Sequence, residues 1–323
     1  MPTTVTKTIK ASGGDYTSLS NWEAGQQGNL ITLDEIHQGE CYDLGAADTT
    51  ALVINGSTTD ATRYMWVTVA ASDRHAGVWS TSKYRLAVDG TTAVTILDGF
   101  TIFEYVQVDT ARTAGSSNAI LFDTGGSDSV ARYCVVRKSV SGGTSNAGIV
   151  ANFTGTVYII NNIIYDIVGT AVSAGKSTSG LTVYSYNNTI HTCTTGLNSS
   201  FANSHIAKNT LIRSCTNNGV GTFAAGTDYN ACDDASIGYT VTGSGNTHDR
   251  VSQTFTFVNE AGDDFHLASG DAGAQDVGVD LSADATYPFS LDIDGVTRTG
   301  PWDIGADEFV AAGGGPTPYQ PWM

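Results

Sequence analysis

Three stretches in the middle of the chain read VYIINNII (157–164), LTVYSYNNTI (181–190) and SHIAKNTL (204–211). Each consists of an alternating strand, a polar turn with asparagine, and a second short strand. Aligning the chain on asparagine gives a register at Asn162, Asn188, Asn209 and Asn230, with steps of 26, 21 and 21 residues. Steps of this length are typical of one coil of a β-solenoid.

Stacking of coils explains why such short strands can be stable. A strand of four or five residues cannot bury its apolar face alone, but equal positions on successive coils lie about 4.8 Å apart and cover one another. The register continues backwards, with longer steps, to Cys134 and Phe100. The positions two residues beyond the register predict one inward apolar column: Ile102, Val136, Ile164, Ile190 and Leu211. The four asparagines predict a neighbouring ladder whose amides hydrogen-bond between coils and tolerate a left-handed backbone.

Glycines follow the second strand of each repeat, at Gly169, Gly196 and Gly219. We interpret them as a further turn that leads into a third strand, because glycine accepts a positive φ. No stretch of this region shows a 3.6-residue apolar period. The fold prediction is therefore all-β, a single-stranded right-handed parallel β-helix. The dipeptides Asn55–Gly56 and Asn218–Gly219 leave a local hairpin open at either place.

The two ends of the chain lack the repeat and predict caps that protect the terminal coils. Residues 13–36 have helix-like spacing, with Thr17 or Ser18 as the N-cap. The predicted regions are an N-terminal cap, the β-helix, a C-terminal closing module and a flexible or partner-bound tail, which span residues 1–45, 46–240, 241–310 and 311–323. In the tail, Tyr319 and Trp322 are the predicted partner-binding residues.

Composition excludes several classes of protein. With 41% hydrophobic residues, 37 glycines and only 6 prolines, the chain has enough apolar surface for a core. Its 32 acidic and 15 basic residues give a net charge of −17, which repels phosphate backbones and anionic membrane surfaces. We therefore expect no nucleic-acid partner and no membrane insertion. The first residues lack the apolar core of a signal peptide, so we expect synthesis in the cytoplasm of a host cell.

The C-terminal region carries a resemblance to a known family. DFHL (264–267), DVG (276–278), DIDGVTR (292–298) and WDIGADE (302–308) resemble the closing module of right-handed parallel β-helix, pectate-lyase-like proteins. The family pattern is D-F-x-L, D-x-D-G-x-x-R and D-I-G-A-x-E. The chain departs from it at DAGAQD (271–276), where the family commonly has S-P-A-I-D. The resemblance implies a β-helix of the kind found in phage particles and bacterial surface proteins.

Candidate catalytic carboxylates are Asp233 with Asp234, Asp263 with Asp264, and Asp166 on a repeat coil. A glycosidase needs two carboxyl groups about 5 to 9.5 Å apart on one face. Neighbours along a strand point to opposite faces, so these pairs are interpreted as solvated turn residues.

Histidine and cysteine patterns add no catalytic or metal motif. His191 and His205 lie on repeat coils but do not form a metal motif by spacing. The five cysteines are odd in number and show no C-x-x-C spacing, which indicates buried thiols. The sequence predicts no catalytic residue and no cofactor.

The closing module also contains a candidate cation site. Asp292, Asp294 and Asp303 are the candidate ligands, with Asp307 nearby, and the D-x-D-G start is similar to a calcium loop. Counted from Asp292, the twelfth position of this loop is Asp303, whereas a calcium loop of this kind has glutamate there. Calcium is therefore weighed against a second interpretation, in which these side chains cap turns and pair with Arg298.

Together these observations predict a non-enzymatic structural protein of a bacteriophage virion, displayed on the particle as a capsid decoration or a tail fibre or spike component. As a homotrimer it would contact capsid or tail proteins and cell-surface polysaccharide. The alternatives are a polysaccharide depolymerase on the same fold and a bacterial surface adhesin. A depolymerase predicts an outer groove with facing carboxylates and aromatic platforms.

Overall fold

The computed structural model describes residues 1–110, 116–139, 145–175, 180–200, 204–243 and 245–311. These residues contain two α-helices, α1 (Leu19–Gln26) and α2 (Leu30–Leu33), and two 3-10 helices, Ala71–Asp73 and Glu260–Gly262. In chain order the strands are β1 (Thr3–Ile9), β2 (Glu35–Cys41), β3 (Leu52–Ile54), β4 (Met65–Val69), β5 (Arg85–Val88), β6 (Val94–Ile96), β7 (Ile102–Glu104), β8 (Gln107–Thr110), β9 (Ser116–Phe122), β10 (Ser129–Arg132), β11 (Val135–Arg137), β12 (Ser145–Ala151), β13 (Gly155–Ile160), β14 (Ile163–Tyr165), β15 (Gly169–Ala174), β16 (Leu181–Tyr186), β17 (Thr189–His191), β18 (Thr195–Ser199), β19 (Ser204–Lys208), β20 (Leu211–Arg213), β21 (Asn217–Phe223), β22 (Ala231–Cys232), β23 (Thr240–Val241), β24 (Phe257–Asn259) and β25 (Asp264–Leu267).

Three parallel sheets form the walls of a solenoid. Sheet 1 has the order β1-β2-β4-β7-β10-β13-β16-β19, sheet 2 the order β5-β8-β11-β14-β17-β20-β22, and sheet 3 the order β3-β6-β9-β12-β15-β18-β21-β23. The chain passes through the three sheets in turn and returns beside its previous strand, as β13, β14, β15 and β16 illustrate. The predicted all-β parallel β-helix is confirmed.

Neither Asn-Gly dipeptide forms a hairpin. Asn218 and Gly219 lie inside β21, where Gly219 pairs in parallel with Leu197. Gly56 follows β3 in a turn with a φ of 103°. The sole antiparallel strand pair within the described ranges is β24 with β25, which lies outside the three sheets.

The apolar columns inside the solenoid agree with the prediction in part. Val136, Ile164 and Ile190 stack in register in sheet 2 and are fully buried, as predicted. Ile102 was wrongly assigned to this column, because it lies in sheet 1 beside Val130. Leu211 was also wrong, by one residue: it pairs with Thr189, and Ile212 continues the column above Ile190.

The corner between sheets 1 and 2 contains two stacked columns where one ladder was predicted. The first column has a left-handed backbone and includes Asn161, Asn187 and Asn209, with φ values of 52°, 51° and 52°. The second column follows it directly and includes Asn162 and Asn188. Asn209 was therefore placed in the wrong column. Its coil has Asn-Thr where the two coils before it have Asn-Asn, so the ladder position is Thr210.

Side-chain amides of the second column join successive coils. The Asn162 Oδ1 atom accepts from the Cys134 backbone N at 2.9 Å, and the Asn188 Oδ1 atom accepts from the Asn162 backbone N at 3.0 Å. Asn230 accepts from the Thr210 backbone N at 3.0 Å in the same way. Because these groups are buried, the amides satisfy backbone donors that water does not reach.

The N-terminal region does not stand apart from the solenoid. β1 and β2 pair along their whole length in sheet 1, and β2 pairs in turn with β4, so both strands belong to the β-helix. Between them, α1 begins after Ser18, whose Oγ accepts from the Asn21 backbone N at 3.2 Å. Trp22 of α1 is fully buried against Gly39, where a Cβ atom would lie 2.8 Å from the indole.

The C-terminal region first stacks on the last coil, where Arg250 pairs in parallel with Ala231 of β22, and its later part runs along the side of the solenoid. Three consecutive corner asparagines donate to its carbonyl oxygens: Asn161 to Leu291 at 2.8 Å, Asn187 to Gly305 at 3.2 Å and Asn209 to Val279 at 2.8 Å. The left-handed corner points these amides outward, and the segment supplies their acceptors. Tyr319 and Trp322 lie outside the described residues.

Two further sequence expectations concern helices and thiols. No helix among the residues that the structure describes is long and apolar enough to cross a membrane. All five cysteines are free and buried within the coils.

The second corner column predicts that replacing the buried Asn162 lowers stability much more than replacing the exposed Asn217. Asn162→Ala removes an acceptor for the Cys134 backbone N and a donor to the Ala131 carbonyl, leaving both buried groups unsatisfied. We expect the free energy of unfolding to fall by about 2–4 kcal/mol in chemical denaturation. Asn217→Ala, on the exposed start of β21, is the control and should change it by less than about 0.5 kcal/mol. Equal losses for the two variants would contradict the ladder.

Candidate functional site

The outward face of sheet 1 is divided into a covered half and an open half. In the later coils, Ile160 and Tyr186 point outward yet are fully buried, because the C-terminal segment packs on them through Leu281, Phe289 and Trp302. In the earlier coils this cover is absent from the part of sheet 1 formed by β2, β4 and β7. A cavity of about 410 Å³ opens there, a volume typical of ligand sites.

Strand alternation decides which side chains reach this cavity, which we call the sheet 1 groove. Met65, Val67 and Val69 of β4 are fully buried in the solenoid core, so Trp66 and Thr68 between them point outward. The same alternation brings Gln38 and Glu40 of β2, Glu104 of β7 and Arg132 of β10 into the groove.

The floor of the sheet 1 groove is a network around Glu104. The Arg132 Nε atom donates to Glu104 Oε2 at 2.7 Å. Trp66 Nε1 and Thr68 Oγ1 both donate to the second oxygen, Glu104 Oε1, at 3.0 Å. Glu104 is only 3% exposed, so its charge depends on these partners. Burial lowers the pKa of Arg132, but the negative charge of Glu104 outweighs burial and raises this pKa above its ordinary value. Arg132 therefore stays protonated at neutral pH.

Aromatic rings and a cation form one wall. Tyr105 and Tyr133, both at the left-handed corner, stack with ring centroids 4.9 Å apart. The Arg74 guanidinium lies 3.8 Å from the Tyr105 ring centroid, and its Nε donates to the Val69 carbonyl at 2.8 Å. Within the described ranges Arg74 forms no salt bridge with a carboxylate. It therefore presents a cation to the groove.

Further aromatic rings continue along the same face. Trp66, Tyr158 and Tyr184 occupy one register column of sheet 1 and are half-buried. Tyr158 and Tyr184 stack at 5.5 Å, and Tyr287 of the C-terminal segment lies 4.7 Å from Tyr158. Aromatic faces beside fixed hydrogen-bonding groups suit a ligand with both apolar faces and hydroxyl groups, such as a sugar chain.

The carboxylates proposed from sequence lie outside this groove. Asp233 accepts from the Ser214 backbone N at 3.0 Å, and Asp234 accepts from Asn218 Nδ2 at 3.0 Å. Asp263 ends a 3-10 helix with a φ of 59°, and Asp166 occupies a corner with a φ of 57°. Asp264 pairs with His266. These residues build turns and caps. Two of them lie near each other, since burial and then the charge of Asp263 raise the pKa of Asp166.

The two repeat-coil histidines are also separated. His191 of β17 lies on the outer side of sheet 2, where its Nε2 contacts Glu260 at 2.8 Å. His205 of β19 is fully buried inside the solenoid, with its Nε2 atom 2.9 Å from Ser185 Oγ. Burial lowers the pKa of His205 to about 4, so the ring is neutral at physiological pH.

The three aspartates proposed as cation ligands have different partners. Asp292 accepts from the Val296 backbone N at 2.7 Å, and Asp303 accepts from the Asp276 backbone N at 2.7 Å. Burial raises the pKa of each to about 7. Of these three aspartates, only Asp294 lies in a group of possible metal ligands that includes a histidine, His266. Buried Arg298 pairs with Glu308 at 3.1 Å.

The residues that line the sheet 1 groove were missed by sequence reasoning. Glu104, Arg132 and Trp66 belong to coils where the asparagine register does not extend, since their corner positions are tyrosines. Polar residues at outward positions of otherwise apolar strands were the available signal.

Comparisons with known proteins support the fold alone. No protein-family model and no curated protein sequence matches the chain. Among solved structures, the chain is similar to the crystal structure of pectate lyase Pel9A, with 11% sequence identity and a TM-score of 0.50. The match covers 95% of this chain and 97% of that one. The chain thus has the parallel β-helix fold of a pectate lyase.

The Glu104–Arg132 pair predicts a strong coupling between two variants. Arg132→Met leaves the Glu104 carboxylate buried without its cation and should lower the free energy of unfolding by about 3–5 kcal/mol. Adding Glu104→Gln removes that charge, so the double variant should be more stable than Arg132→Met alone. Arg63→Met, which breaks a surface ion pair, is the control and should change stability by less than about 1 kcal/mol in chemical denaturation. A double variant less stable than Arg132→Met would contradict this account.

Proposed function

We propose that the protein is a glycan-binding parallel β-helix, and that the sheet 1 groove holds a segment of a polysaccharide whose repeat unit carries a carboxylate. The observation that carries the proposal is the groove itself. It places the half-buried Trp66 and the stacked Tyr105 and Tyr133 around a fixed polar floor.

The charge distribution in the groove supports an acidic sugar. The Arg132 cation is matched by Glu104, whereas Arg74 has only the Val69 carbonyl and a tyrosine face as partners in the described structure. In a chain of net charge −17, a cation without a carboxylate partner in a concave site favours an anionic ligand group. Arg74 would pair with the sugar carboxylate, and the half-buried Trp66 would pack on a sugar face. Tyr105 and Tyr133 are buried and stacked on each other, so they support Arg74 from behind.

Binding without cleavage is the function that the groove supports best. Both oxygens of Glu104 are occupied by donors, and Glu40 accepts from Tyr42 Oη at 2.7 Å. Glu104 is therefore unsuited to carry a proton, because both of its oxygens hold the groove floor. Polysaccharide cleavage is the second candidate, because the fold is that of pectate lyase Pel9A.

Calorimetric titration with paired oligosaccharides, with and without uronic acid, tests this function. Arg74→Ala should weaken binding of the acidic member at least about 10-fold and leave the neutral member unchanged, because only the former loses an ion pair. Arg63→Ala, a surface arginine paired with Asp34 and Asp60, is the matched control.

Two outcomes would change the proposal. Equal losses for the two arginine variants, or no binding of any acidic oligosaccharide, would contradict it. Accumulation of an unsaturated uronide, followed by ultraviolet absorbance, would establish the depolymerase in its place.

The biological setting that we propose is the surface of a bacteriophage particle, with the protein assembled as a homotrimer. Support comes from the resemblance of the C-terminal region to the closing module of β-helix proteins, which include proteins of phage particles, and from the acidic composition. Mass spectrometry of purified particles should detect the protein, with a high copy number for a capsid decoration and a low one for a tail component. Its absence from particles would contradict this setting.

A further inference from the structure

A cluster of one histidine and two carboxylates lies away from the sheet 1 groove. His266 is on β25, Asp294 is in the turn that follows Asp292, and Asp307 is near the end of the described chain. One possible ligand atom from each residue lies within 4.8 Å of the others. Asp307 is buried and Asp294 is exposed, so the cluster is reached from solvent on one side.

The imidazole of His266 has the orientation found in metal sites. Its Nδ1 atom contacts Asp264 Oδ1 at 2.5 Å, and its Nε2 atom faces Asp294 Oδ2 at 3.0 Å. A histidine that binds a metal commonly donates its other ring N–H to a carboxylate, which fixes the ring and its tautomer. Asp264 is placed for this role, and Nε2 is then directed at Asp294.

The Gly77 backbone packs directly against these ligand atoms. A Cβ atom on Gly77 would lie 2.4 Å from His266 Nε2 and 3.4 Å from Asp294 Oδ1. A side chain at this position would therefore push the His266 ring away from its place beside Asp294. The loop is held there by His75, which contacts the Gly77 backbone N at 3.2 Å and the Tyr133 carbonyl at 2.9 Å.

We propose that His266, Asp294 and Asp307 bind one divalent transition-metal ion of the zinc type. The imidazole ligand favours such an ion over calcium, which takes oxygen ligands. Charge agrees with this, because three carboxylates surround a single imidazole and a dication offsets two of their three charges. A tetrahedral site with bonds of about 2.1 Å has ligand atoms about 3.4 Å apart, so the His266 and Asp294 atoms, now 3.0 Å apart, separate slightly around the ion.

The bound ion would join distant parts of the chain. Its ligands come from the β24–β25 hairpin, the turn at 292–296 and the final described segment, against the loop at Gly77. These are the segments that hold the C-terminal region along the solenoid. The site therefore acts as a structural clamp, and it is independent of glycan binding in the sheet 1 groove.

Zinc binding to the full chain, after removal of metals with a chelator, tests this proposal. Titration calorimetry should show one saturable zinc ion per chain, and zinc should raise Tm by about 5 °C. Cobalt should give the visible absorbance of a tetrahedral site. Asp294→Asn keeps the shape of the side chain and should weaken zinc binding about 100-fold or more. Gly77→Ala should do the same, because its Cβ atom would displace the His266 ring.

His248→Ala is the matched control, because His248 is an exposed histidine paired with Asp228. This variant should bind zinc like the unmodified chain. No saturable zinc uptake would overturn the proposal. It would mean that His266 is a protonated imidazolium paired with Asp264 and Asp294. Uptake that survives both Asp294→Asn and Gly77→Ala, or that is lost in His248→Ala, would overturn it as well.

Discussion

The left-handed corner between sheets 1 and 2 is the constraint on which the rest of the structure depends. At each coil one residue takes a positive φ, and the next turns its side chain inward, where Asn162 and Asn188 bond to neighbouring coils. Asparagine serves both positions, since it tolerates the backbone and carries a donor and an acceptor. The corner fixes the stacking register and leaves a row of amides, Asn161, Asn187 and Asn209, facing outward.

That outward row determines where the C-terminal segment lies. Its carbonyls accept from the row, and Leu281, Phe289 and Trp302 then cover the outward face of sheet 1 in the later coils. In the earlier coils the corner residues are Tyr105 and Tyr133, which offer rings in place of amides. There the segment reaches the edge of the groove, where Leu291 lines it and Arg132 donates to Tyr287 Oη at 3.0 Å. The residue type at a repeated corner position thus distinguishes the covered half of the face from the half that contains the groove.

The sequence predicted the parts of this structure that repeat locally. The Asn162 to Asn188 step is visible because both coils carry Asn-Asn, and the predicted solenoid followed from it. At Asn209 the same reasoning failed by one residue. The sequence Asn-Thr does not indicate that the asparagine is the left-handed residue and that Thr210 takes the second column. The groove was out of reach for another reason: Glu104 meets Arg132 only through coil stacking, and Arg132 meets Tyr287 across 155 residues of sequence. Lateral packing of the C-terminal segment has the same long-range origin.

A crystal structure with an acidic oligosaccharide bound tests the central claim most directly, because it locates the ligand on the solenoid. The account predicts a sugar ring against Trp66, with a carboxylate at Arg74, and no movement of the C-terminal segment. A ligand bound to sheet 2 or sheet 3, or to a face of sheet 1 exposed by displacement of residues 279–302, would contradict it.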